Sequence, residues 1–172
     1  VRDTNAQHRN IYARKITTAG ASFTRQITQD GRSQSPAIVV DRQTGSVYVV
    51  FQKATEYTNL LMWHVYFAKL DNNLNIVIPP TLIDAYVPRG ESSDIAIGPD
   101  GTLHVVRESG LGYYLRLNSN GQRIGNEVLF GGPGATLQEY SVIRPKIAVD
   151  PQNNVHIIFT TPLHYPTYSG IG

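Results

Sequence analysis

Asp94-Ile-Ala-Ile-Gly-Pro-Asp-Gly-Thr-Leu-His-Val-Val106 decides the fold, because the chain repeats it. A second copy reads Lys146-Ile-Ala-Val-Asp-Pro-Gln-Asn-Asn-Val-His-Ile-Ile158. A looser one, with an extra turn residue, is Ala37-Ile-Val-Val-Asp-Arg-Gln-Thr-Gly-Ser-Val-Tyr-Val-Val50. Each is a β-branched apolar run, then Asp/Gly/Pro/Asn punctuation, then another apolar run. That is the pattern of a β-hairpin.

A second hairpin type alternates with the first. Tyr12-x-x-Lys15-Ile16 returns as Tyr66-x-x-Lys69-Leu70 and as Tyr113-x-x-Arg116-Leu117. A turn follows each copy: Thr17-Thr-Ala-Gly20, Asp71-Asn-Asn-Leu74 and Asn118-Ser-Asn-Gly121. Ile16, Leu70 and Leu117 are separated by 54 and 47 residues, and Ile38, Ile95 and Ile147 by 57 and 52. Two independent markers therefore share a period near 50, which belongs to propeller-like arrays. No stretch keeps helical periodicity over three turns, and Tyr57–Lys69, the best helical candidate, ends in a run that matches the repeat as a strand. The expectation is an all-β chain of three four-stranded antiparallel repeats, ordered CD-AB-CD-AB-CD-AB over residues 11–159. A polar arm (1–10) precedes it and a Pro-rich tail (160–172) follows.

Composition narrows the function classes. The 172 residues fit one domain with a real core, and a net charge of +2 with scattered Lys and Arg argues against a nucleic-acid partner. There is no cysteine, so disulfides and thiolate chemistry are excluded. No apolar run reaches membrane-spanning length and no signal peptide is visible; a processed secreted chain would look the same. Low charge, many neutral polar residues and ten Tyr point to an extracellular or cell-surface setting.

Ile-Ala-Val-Asp-x-x-x-x-Val-His-Ile, joined to Tyr113-Tyr-Leu-Arg-Leu-Asn-Ser-Asn-Gly121, resembles the blade repeats of secreted bacterial and archaeal β-propellers of the sialidase-like (BNR-type) superfamily, over Tyr12–Phe159. The resemblance implies a blade and leaves the function open among glycosidase, lectin and scaffold. Three repeats fall short of the 4–8 blades of closed propellers. The first and last hairpins are complementary halves of a blade. The ring is thus completed by further sequence of a longer chain, by a second copy in a dimer, or not at all, in an open head-to-tail assembly.

The loops leading into the AB hairpins (29–36, 84–93 and 131–145) and those after their second strands (52–64, 107–112 and 160 onward) are expected to share one face. Arg32 and Arg89 both lie six residues before the Ile of their hairpins, and Arg144 lies three before its own. Three guanidiniums converging there would hold a carboxylate, an idea that the arginine triad of sialidases supports. The alternative is a local bond for each, to backbone or to Glu91. The superfamily's Arg-Ile-Pro and Ser-x-Asp-x-Gly-x-Thr-Trp motifs are absent, and Glu56-Tyr57 and Glu139-Tyr140 point their side chains oppositely on a strand. Catalysis of that type is not expected.

Trp63 and His64, with Tyr57 and Met62, form an aromatic cluster suited to a sugar ring, a protein surface or plain core; Arg107 lies in a loop of the same face. His104 and His156 occupy the place of Tyr48 and are expected to share its packing role. Asp71-Asn-Asn-Leu-Asn75 lacks the Gly and Glu of a calcium loop and reads as a turn. No metal, cofactor or catalytic residue is assigned. The leading expectation is a non-catalytic, self-associating module with a glycan or a surface protein as further candidate partners. The alternative is a fragment of a glycoside-acting enzyme whose catalytic residues lie elsewhere.

Overall fold

The computed structural model describes residues 9–57, 60–84, 92–131 and 142–161, with backbone only at 56, 57, 60 and 61. The described residues are all β: twelve strands in four antiparallel sheets, with no helix. Sheet I is the hairpin β1 (Tyr12–Ile16) and β2 (Ser22–Gln26). Sheet II is the meander β3 (Ser33–Val40), β4 (Val47–Tyr57), β5 (Leu60–Leu70) and β6 (Ile76–Asp84). Sheet III repeats it with β7 (Ser93–Ile97), β8 (Leu103–Ser109), β9 (Leu111–Leu117) and β10 (Val128–Phe130). Sheet IV is the hairpin β11 (Ile143–Val149) and β12 (Val155–Thr160). Instead of three four-stranded sheets there are two, because the third set of four strands is divided between the two ends.

The repeated turns explain the repeated hairpins. Gly20, Leu74 and Gly121 hold the same left-handed position, with φ of 81°, 62° and 76°. In each turn the amide of that residue donates to the carbonyl three positions back, on Thr17, Asp71 and Asn118. Asp41, Asp71, Asp100 and Asp150 each accept the amide two residues ahead, the bond that makes Asp a turn former. Strand positions are equally patterned. Pro79 and Pro80 sit on β6, Pro36 on β3 and Pro145 on β11, all edge strands of their sheets, where a missing amide breaks no ladder.

Those turn carboxylates titrate below their usual range. Asp150 is held at about 2, first by the Asn154 side chain and amide and then by His156; Asp41 is lowered chiefly by Thr44, Asp71 by Asn75 and Asp100 by the Thr102 amide. The folded value lies below the unfolded one, so the bonds contribute fully above the ordinary value of 3.8 and are lost as pH falls towards 2. We expect the thermal midpoint to fall steeply between pH 4 and 2, and Asp150→Asn to blunt that fall, since Asn118 fills the same role in its own turn. A midpoint unchanged over that range would contradict the assignment.

Two apolar layers join the sheets. Ile11, Ala13 and Ile27 of the sheet I region pack on Val47, Val49, Phe51, Ala68 and Leu70 of sheet II. The other face of sheet II, with Tyr48, Val50, Val65 and Phe67, packs on Ile95, Leu103, Val105, Leu115 and Leu117 of sheet III. Sheet IV covers the far side of sheet III, where β11 lies on β7 and β8, the Asp94 carboxylate accepts the Ile147 amide and Phe159 meets Phe130. Each of the two inner sheets, II and III, thus shows one face to the sheet before it and the other to the sheet after it.

The hairpin β4–β5 is longer than the sequence suggests. Of residues 52–64, read there as a loop, 52–57 and 60–64 continue the strands, paired up to Tyr57 opposite Leu60. The same holds for 107–112, where β8 and β9 run to Ser109 opposite Leu111 around Gly110 (φ 74°). In both cases the ladder runs on through polar residues, because cross-strand bonds join backbone to backbone.

Candidate functional site

Arg107 is the most connected charged side chain of the described residues. It stands on β8 facing sheet II and is 3% exposed. Its guanidinium lies 3.8 Å from the Tyr113 ring centroid, pairs with Glu127 at 2.9 Å through Nη2, and reaches Asp84 at the end of β6 through Nε. Arg123 closes the group, 3.4 Å from the other Asp84 oxygen and donating to the Ile83 carbonyl at 3.0 Å. Two guanidiniums and two carboxylates compensate one another, as buried charge requires. The position aligned with Arg107 is Phe51 in sheet II and Phe159 in sheet IV, both packed against aromatic rings. An arginine with ionic partners thus stands where the other two sheets carry phenylalanine, and its pairing with Asp84 of β6 fastens sheet III to sheet II.

The other candidates lie apart. Arg32 is exposed, and its backbone forms a parallel bridge with Arg9. Arg144 is exposed in a left-handed conformation (φ 51°), in a bulge before Pro145, and its amide donates to the buried Glu108 carboxylate, which also accepts from Ser92. Arg89 and Glu91 fall outside the described residues, so the arrangement of all three arginines does too. Trp63 and His64 are neighbours on β5 and point to opposite faces, which dissolves the single cluster read from the sequence. Trp63 stands opposite Ala54, and His64 bonds the Thr55 hydroxyl at 2.8 Å.

Tyr48, His104 and His156 share one repeat position but not one environment. Tyr48 stacks on Phe67 with centroids 6.1 Å apart. His104 bonds the Tyr114 hydroxyl at 2.7 Å, and burial lowers its pKa. His156 is open to solvent and bonds Asp150 at 3.1 Å. The Asp71 oxygens are taken by the amides of Asn73 and Asn75 and the Asn75 side chain, as a turn requires. Among the described residues no three His, Asp or Glu side chains gather as a metal would need, and no helix is long and apolar enough to cross a membrane.

The end sheets carry the distinctive surface. Ile158 is 72% exposed, whereas Val50 and Val106 in its repeat position are fully buried against the following sheet. Ile16 is 69% exposed, whereas Leu70 and Leu117 are fully buried against the preceding one. Tyr12 on the first hairpin is open in the same way. β1 and β12 also keep an outer backbone edge that pairs with no described strand, whereas their counterparts β5, β9, β4 and β8 are paired on both sides. The sequence forecast complementary halves, but not which side chains would be uncovered.

A scan of protein-family models finds no match for this chain, and no curated protein matches it.

Proposed function

We propose that the chain is a non-catalytic structural or interaction module that completes a propeller-like array by binding another copy of itself. One observation carries the reading: positions fully buried by a neighbouring sheet inside the chain are open on its two end hairpins, as Ile16 and Ile158 show. Buried isoleucine contributes about 1.5–3 kcal/mol, and an unpaired strand edge is a template for another strand. In this reading the sheets are propeller blades, four strands each, and the end hairpins are half-blades. The four compensated charges around Arg107 act within the array, between two blades.

The test is the mass of the chain in solution. Light scattering is expected to give more than one chain for the unmodified protein. Ile16→Lys or Ile158→Lys should weaken association at least tenfold, since a buried, unpaired ammonium opposes the contact. Both positions are exposed in the single chain, so the circular dichroism spectrum should stay unchanged. An unmodified protein that stays a single chain, or association indifferent to both substitutions, would overturn the proposal.

A further inference from the structure

We infer that β12 of one chain pairs antiparallel with β1 of a second copy to form the middle of a shared four-stranded sheet, and that two copies close a six-sheet ring. This rests on the self-association proposed above and gives it a register and a stoichiometry. The register comes from the two internal junctions of the same kind. Val47 pairs with Leu70 in sheet II and Leu103 with Leu117 in sheet III; both align with Val155 opposite Ile16. Val50 pairs with Phe67 and Val106 with Tyr114, which aligns Ile158 with Ala13. The two junctions agree at each of these positions.

The side chains suit that register. Phe51 stacks on Tyr66 with centroids 6.0 Å apart, and Arg107 lies over Tyr113. The corresponding pair across the shared sheet is Phe159 with Tyr12, and Phe159 already touches Phe130 on its own chain. Ile158 would turn to the side on which Ala13 meets sheet II of the second copy, and so be covered as Val50 and Val106 are. Ile16 would turn to the side on which Phe159 meets sheet III of the first copy, and so be covered as Leu70 and Leu117 are. One docking event therefore covers both open faces and pairs both open edges. The described residues of each chain make two whole sheets and two halves, three sheets' worth, and closed rings hold about 4–8. Two copies fall inside that range; three copies exceed it.

The sequence has no cysteine, so introduced thiols report without background. Ala13→Cys with Ile158→Cys should form a disulfide between chains, seen as a two-chain species in non-reducing electrophoresis and reversed by reductant. Arg14→Cys with Ile158→Cys, slipped by one residue, puts the thiols on opposite faces and should not link. If the first pair disturbs folding, Lys15→Cys with His156→Cys tests the same register, which Tyr48 opposite Lys69 and His104 opposite Arg116 predict. A ladder beyond two chains, or a link within one chain, would overturn the closed ring. No link in a sample that light scattering shows to be associated would overturn the register while leaving self-association standing. A single-chain mass would remove both.

Discussion

Replacing Arg107 with Met is expected to cost about 3–5 kcal/mol, because it removes the nearer of the two guanidiniums that pair with the buried Asp84 carboxylate. For a chain of this length that is a fall of about 6–20 °C in thermal midpoint. Arg107→Lys should recover little. Lysine keeps the charge but has neither the fork that reaches Asp84 and Glu127 together nor the flat group that stacks on Tyr113. Adding Asp84→Asn to Arg107→Met should return part of the loss, since the buried charge that Arg107 helped to compensate is then removed. The double-mutant cycle would give a coupling above about 1 kcal/mol. A loss below that size for Arg107→Met alone would show that the cluster does not fasten sheet III to sheet II.

Gly121→Ala is the second large effect. Gly121 has φ of 76°, and a β-carbon there would press into the ring of Phe67, a fully buried side chain of sheet II. Left-handed backbone costs an alanine about 1 kcal/mol, and forcing a core ring aside costs about 1–3 kcal/mol more. The expected loss is therefore about 2–4 kcal/mol in denaturant unfolding. The repeat supplies its own control. Gly20 occupies the same turn position with φ of 81° and nothing within 4 Å of its would-be β-carbon. Gly20→Ala should show the conformational part alone, about 1 kcal/mol. Leu74, with φ of 62°, shows that the turn admits a side chain where packing favours it. Equal losses at positions 20 and 121 would mean that the Phe67 contact carries no weight.

Much of the architecture was legible because turn chemistry is local. Gly20, Leu74 and Gly121 end four-residue turns that the spacing of Tyr12, Tyr66 and Tyr113 already aligned, and the six hairpins form as read. Strand length was harder to read. Gln52, Lys53, Thr55 and Glu56 look like a loop by polarity, but β4 carries them in a ladder indifferent to side chains. The ion cluster was also hidden. Asp84, Arg107, Glu127 and Arg123 come from separate stretches, and no spacing rule joins them. The one available clue was an arginine in the place held by Phe51 and Phe159. The uncovered faces had a different difficulty, since Ile16 and Ile158 read as ordinary core residues until the sheet beside each was known.

The measurement that bears most directly on these open faces is the light-scattering mass of the unmodified chain through a dilution series. The account predicts twice the 19.0 kDa of one chain, holding as the concentration falls. A mass of one chain at every concentration would contradict it.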